Sequence, residues 1–154
     1  MNTYLYNGHV VTTDSKKSIL KKNERVVAEG RMHLKELIEE AIDKYGTNCD
    51  LNFIDVSKVT DMSFMFSGSK FNGDISKWDV INVIDMYRMF WESKFTGDIS
   101  NWNVSNVKDM SYMFSDSKFN GNISKWIPMM KKNGIKLDDL GLQIKDDTWD
   151  DIEV

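Results

Sequence analysis

The chain is poor in the residues that most often carry chemistry. Its 154 residues include one cysteine, one proline and two histidines. A single cysteine excludes an internal disulfide framework. His9 and His33 lie far apart in sequence, without the spacing of metal ligands. No Gly-rich phosphate loop, nucleophile elbow or Cys–His pair is present. These absences point away from an enzyme and predict no cofactor and no metal. No apolar run approaches the ~18 residues of a membrane span. The opening MNTYLYNGHVVTTDSKK lacks a basic start followed by an apolar core, so no secretory signal is visible and a cytoplasmic location is expected. Cys49 lies too deep, in too polar a context, to be a lipid-attachment site.

Charge is uneven. The formal net charge is −4, yet residues 146–154 hold five acids and no base, and residues 16–25 hold five bases and one acid. Outside residues 146–154 the chain is close to neutral, with 20 bases against 19 acids, and lacks the basic face of a nucleic-acid binder. Hydrophobic residues at 41% and charged residues at 29% fit one soluble globular domain.

What the sequence does have is a repeat. Residues 55–78, 79–102 and 103–126 align without gaps, and 13 of 24 columns are identical in all three. One supersecondary unit used three times is implied. The apolar columns of the first block are Val56, Val59, Met62, Met65, Phe66, Phe71, Ile75 and Trp78. Val59 to Phe66 is spaced for a helical turn, and Phe71 to Ile75 for a short extended segment. The expected fold is an α/β solenoid, a short right-handed stack resembling leucine-rich repeats. Asp61, Asp85 and Asp109 would cap the helical turns. Ser69, Ser93 and Ser117 would serve buried backbone groups, and Gly73, Gly97 and Gly121 would adopt positive φ. Trp78, Trp102 and Trp126 read as an inter-repeat ladder, with sugar stacking as the alternative. Asp74, Asp98 and Asn122 read as a solvated row, with calcium as the alternative.

The sequences WDVINVIDMYRMFWESKFTGDIS (78–100) and WNVSNVKDMSYMFSDSKFNGNIS (102–124) resemble the BspA-like leucine-rich repeats, in the branch with ~25-residue repeats found in bacterial surface lipoproteins of Mycoplasma type. The resemblance covers residues 54–126 and extends weakly to 34–57. It implies a right-handed solenoid and a binding role without catalysis, and it keeps a cell-surface location open.

The flanks divide as follows. Residues 1–30 form an extension with a hairpin signal at Asn7-Gly8. Residues 31–53 hold a capping helix whose Leu34, Leu37, Ile38, Ala41, Ile42 and Tyr45 form one stripe, stopped by Gly46. Residues 127–145 form a second cap, with Pro128 opening a short helix. Residues 146–154 are an acidic segment.

Specificity is expected in the middle block. Where the outer blocks carry Ser57 and Ser105, Thr60 and Lys108, Ser63 and Ser111, and Ser67 and Ser115, it carries Ile81, Ile84, Tyr87 and Trp91. Arg88 replaces Phe64 and Tyr112. If helical, these positions share one exposed stripe within ~120°. They are the candidate partner-binding residues, because apolar patches and Trp, Tyr and Arg mark interfaces. Trp149, Asp150, Asp151 and Ile152 are a secondary candidate. The function expected is a protein-protein interaction module with a partner of unknown identity. The alternatives are a small intracellular inhibitor, phage-encoded, of a host protein, and a self-assembling homo-oligomer.

Overall fold

The computed structural model describes residues 2–6, 9–13 and 24–142, the first two segments by their backbone. Strands β1 (Asn2–Tyr6) and β2 (His9–Thr13) pair antiparallel, with Asn2 opposite Thr13 and Tyr6 opposite His9. The Asn7-Gly8 turn, most of the basic run 16–25 and the acidic segment 146–154 lie outside the described residues. Strand β3 (Val26–Val27) pairs in parallel with β4 (Ile54–Asp55). Between them runs helix α1 (Arg31–Tyr45), which buries Leu34, Leu37, Ile38 and Ala41. No side chain caps its N-terminus, so packing of that face holds it more than local signals do. Gly46 ends it at φ 91°, donating its N–H to Ile42 O at 2.8 Å.

The expected α/β leucine-rich-repeat-like solenoid is corrected by the structure. The chain has two α-helices, α1 and α2 (Ile127–Lys132), and a parallel sheet of only two short strands among the described residues. From Val56 to Ile123 no residue is helical, and strand pairing is limited to single bridges. The repeats are built of turns. Met65 N–H donates to Met62 O, Ser67 N–H to Phe64 O and Ser69 N–H to Phe66 O, at 3.1–3.2 Å. Such three-residue closures give apolar spacings like those of a helix. Left-handed residues then interrupt any helix: Phe64, Arg88 and Tyr112 at φ 51–58°, and Gly68, Glu92 and Asp116 at φ 54–64°. In the segment read as extended, side chains take the donors that a strand would use. Ser69 Oγ accepts Phe71 N–H and Asp74 Oδ1 accepts Ser76 N–H.

Two further readings change. Asp61, Asp85 and Asp109 cap no helix; each accepts the N–H two residues on, at 2.8 Å, and closes an Asx turn. Gly73, Gly97 and Gly121 are not in the positive-φ region. What they provide is room.

Equivalent residues of the three blocks nevertheless lie side by side. Single parallel bridges join Asp61 to Asp85 and Asp85 to Asp109. Phe64 N–H donates to Tyr87 O and Phe66 N–H to Met89 O; one block on, Arg88 donates to Ser111 O and Phe90 to Met113 O. Inside, Phe66, Phe90 and Phe114 stack at 5.4 and 5.7 Å. Trp78, Trp102 and Trp126 stack at 6.4 and 6.3 Å. Residues 47–54 behave as half a block before the first: Asp50 bridges Asp74, and Trp78 Nε1 donates to Leu51 O at 2.9 Å. At the other end the turn Leu137–Leu140 supplies Asp139 O to Tyr112 N–H and Leu140 O to Phe114 N–H. Asn133 donates to Ser105 O, as Asn106 does to Ile81 O one block earlier.

The first block has no full block before it to donate to the carbonyls of Ser63 and Met65. Helix α1 covers them. Arg31 donates to Ser63 O through Nε and Nη2 at 2.9 and 2.7 Å, and Lys35 Nζ donates to Met65 O at 2.9 Å. Four residues apart, these two side chains share one helix face. Replacing both with Met keeps helix-forming side chains but removes the donors. A loss of about 1–3 kcal/mol is expected in urea unfolding; a loss below ~0.5 kcal/mol would mean that water replaces them fully.

Candidate functional site

The left-handed turn brings the middle block's unusual residues together. Arg88 holds its guanidinium carbon 5.2 Å from the Tyr87 ring centroid, 5.0 Å from that of Trp91 and 5.4 Å from that of Tyr112. Tyr87 meets Phe64 edge-on at 5.4 Å and Tyr112 at 6.2 Å. Five side chains from three blocks thus form one face around a cation, an arrangement that the ring quadrupoles favour. Phe64 is 38% exposed and Tyr112 52%.

The stripe that a helix would make of Ile81, Ile84, Tyr87 and Trp91 is not there, because that stretch is turns. Tyr87, Arg88 and Trp91 meet all the same, through the αL kink at Arg88. Ile84 stands out in solvent, 51% exposed, and Ile81 is half-buried; the contacts to the guanidinium come from the rings. Trp149, Asp150, Asp151 and Ile152 lie outside the described residues. The sequence reading did not include Phe64 and Tyr112 in the face. The signal was present: the column of Phe64, Arg88 and Tyr112 is bulky in every block.

Bulk in that column is costly. Left-handed backbone costs a residue with a Cβ ~1–2 kcal/mol, and glycine or asparagine adopts it more easily. The other left-handed column holds Gly68, Glu92 and Asp116, small or polar. A turn alone does not call for Phe, Arg and Tyr.

The aspartate rows have structural occupations. Asp74 accepts the N–H of Ser76, and Asp98 accepts the hydroxyl and then the N–H of Ser100; these hydrogen bonds hold both carboxyls below the usual carboxylate range. Among the described residues, no three of His, Cys, Asp and Glu lie together as a metal site would require. His33 accepts the Glu29 N–H at Nδ1, and burial pushes its pKa down.

Asp85 is the exception among these carboxylates. Burial first, then the charges of Asp61 and Asp109, push its pKa up despite the Tyr87 N–H. Between the unfolded and the raised folded value, the folded chain binds more protons. Stability therefore falls as pH rises through that window, and the penalty is complete above it. Asp85→Asn is expected to stabilise the fold at pH 7. The gain should vanish at pH values below the ordinary carboxylate pKa, where both forms are neutral. Asparagine already closes the same kind of turn at Asn103 and Asn122. Urea unfolding across pH checks this, and a gain independent of pH would contradict it.

A family model described as "Mycoplasma protein of unknown function, DUF285" matches residues 33–134, from inside α1 to just past α2, which is more than half of the chain. The chain belongs to the DUF285 family. The DUF285 match spans the whole Arg88 face and identifies the blocks as a repeat family of Mycoplasma type. No curated protein matches the chain, and no solved structure does. No helix among the described residues is long and apolar enough to cross a membrane.

Proposed function

We propose that this DUF285 chain is a non-catalytic protein-binding module, and that its contact surface is the face of Phe64, Tyr87, Arg88, Trp91 and Tyr112, with Ile84 and Ile81 at its side. One observation carries the reading: three bulky side chains, Phe64 and Tyr112 exposed and Arg88 half-buried among rings, occupy left-handed backbone where smaller residues would cost less. Strain of that kind persists where the side chain is used. The composition of the face supports the same reading, since Trp, Tyr and Arg dominate interface energetics. So does the resemblance of the repeat to BspA-like surface proteins, which implies a binding role. The partner suited to this face presents a carboxylate to the guanidinium edge and an apolar side chain to the rings.

The test is affinity capture from a lysate of the source cell with the wild-type chain and with the Tyr87→Ser/Trp91→Ser variant, beside their melting curves. Serine is the outer blocks' residue at both positions. Captured protein lost by at least tenfold, with Tm within ~2 °C, is the expected result. Equal capture by both chains would reject the face as the contact surface. Light scattering of the free chain tells a second copy from a foreign partner.

A further inference from the structure

Internal repetition separates what the fold requires from what it leaves free. Seven of the 24 columns are exposed in all three blocks, and six of them differ between blocks. The seventh, Lys70, Lys94 and Lys118, is identical throughout. The other twelve identical columns have work inside the fold. Eight are buried apolar side chains. The aspartate column and two serine columns close turns through hydrogen bonds two residues apart, and the glycines give room.

The lysines do no such work. Among the described residues, none of the three ammonium groups forms a hydrogen bond or an ion pair. Their backbones are nevertheless fixed side by side. Lys94 N–H donates to Ser69 O at 3.0 Å, and Lys118 N–H to Ser93 O at 3.1 Å. The residues that follow them, Phe71, Phe95 and Phe119, stack at 6.1 and 6.3 Å. Three cations thus stand in a row ~10 Å long. Like charges set side by side oppose the pairing that holds them, and a bound anion would offset that repulsion.

The surroundings of the row indicate which anion. Glu92 and Asp116 stand two residues before it, and Asp74 and Asp98 four residues after it, all exposed. A broad anionic surface such as a bilayer would meet those carboxylates as well as the lysines, whereas a thin chain lying along the row would not. Two residues after the lysines come Asn72, Thr96 and Asn120, exposed amides and a hydroxyl. These can hydrogen-bond sugar hydroxyls, but they offer no ring on which a nucleic-acid base could stack.

We infer that Lys70, Lys94 and Lys118 form a binding site for one strand of an acidic polysaccharide, whose sulfates or carboxylates pair with the three ammonium groups. The site shares no residue with the Arg88 face and does not rest on it.

The experiment is calorimetric titration of the full-length chain with a heparin hexasaccharide at about 0.05 M salt. Lys70→Gln/Lys94→Gln/Lys118→Gln keeps most of each side-chain stem and removes the charges. Lys77→Gln/Lys131→Gln/Lys132→Gln makes the same change in net charge at exposed positions elsewhere. The row variant should bind at least ~10-fold more weakly, with a slope of log affinity against log salt smaller by roughly 2–3, while the control loses less than ~3-fold. In urea the row variant should be at least as stable as the wild type, because like-charge repulsion is relieved. Equal losses of binding in the two variants would reduce the effect to net charge and overturn the inference. No binding by the wild-type chain, or a row variant that is clearly less stable, would overturn it too. Binding to phosphatidylserine vesicles or to a thymidine oligonucleotide as tight as to the hexasaccharide would assign the row to a membrane or a nucleic acid instead.

Discussion

Phe90→Ala is expected to be among the most damaging single substitutions in this chain, lowering stability by about 3–5 kcal/mol. Phe90 is fully buried at the centre of the ring ladder, stacked on Phe66 at 5.4 Å, Phe114 at 5.7 Å and Phe95 at 4.7 Å, with Trp102 at 6.4 Å. Truncation opens a cavity bounded by rings in three blocks. Those rings are locked to backbone that is itself hydrogen-bonded from block to block, so little collapse can fill the space. Phe119→Ala provides the comparison. Phe119 is 7% exposed at the end of its ladder, and among the described residues its ring contacts are to Phe95 and Phe114. It should cost appreciably less. At ~2–4 °C per kcal/mol for a chain of this size, Phe90→Ala should lower Tm by about 10 °C. Equal losses at the two positions would show that the block ladders do not carry the fold. Because total stabilities run to ~5–15 kcal/mol, the variant is best measured in urea at low temperature.

The fate of the sequence expectations follows from what apolar spacing can and cannot encode. The 24-residue period was legible because stacked equivalents demand identity: Phe66, Phe90 and Phe114 must match to stack nearly parallel, within 3°. The α1 stripe was legible because Leu34, Leu37, Ile38 and Ala41 bury one helical face. The conformation inside each block was not legible. Spacings of three and one are shared by a helix and by consecutive tight turns, and the deciding feature is left-handed backbone at Phe64, Arg88 and Tyr112. None of these residue types announces it. The half block at 47–54 was missed for a related reason. TNCDLNFI keeps only Asn48, Asp50 and the apolar Leu51 and Ile54 of the repeat pattern, yet its carbonyls receive Asn72, Asp74 and Trp78. The candidate face was half visible. Substitution of four polar columns exposed Tyr87 and Trp91, whereas the role of Tyr112 emerged only from the three rings around Arg88 and that of Phe64 from its edge contact with Tyr87.

Gly73→Ala is the second large effect, and its cause is a carbonyl rather than a dihedral angle. A Cβ at Gly73 would lie 1.8 Å from Cys49 O and 2.7 Å from the Phe71 ring. The Cys49 carbonyl belongs to backbone that also accepts Asp74 N–H at 3.3 Å, between bonds from Asn72 to Thr47 O and from Leu51 to Asp74 O. It cannot withdraw without loosening the half block that seals the first repeat. A cost of about 3 kcal/mol is expected, at the top of the range for overpacking. Gly121→Ala meets only the Phe119 ring, at 2.6 Å, and that ring sits at the open end of its ladder, where it can shift. A cost of about 1 kcal/mol is expected there, with Gly97→Ala between the two because Gly73 O lies 3.2 Å away. The same geometry explains why position 49, the equivalent of Gly73 one period earlier, carries a cysteine. No earlier block lies beneath it, so a side chain fits, and its Sγ lies 3.9 Å from Ala41 O in α1. Urea unfolding of the three alanine variants checks the order. If Gly121→Ala proved as costly as Gly73→Ala, the backbone approach beneath Gly73 would not be the reason that this column is glycine.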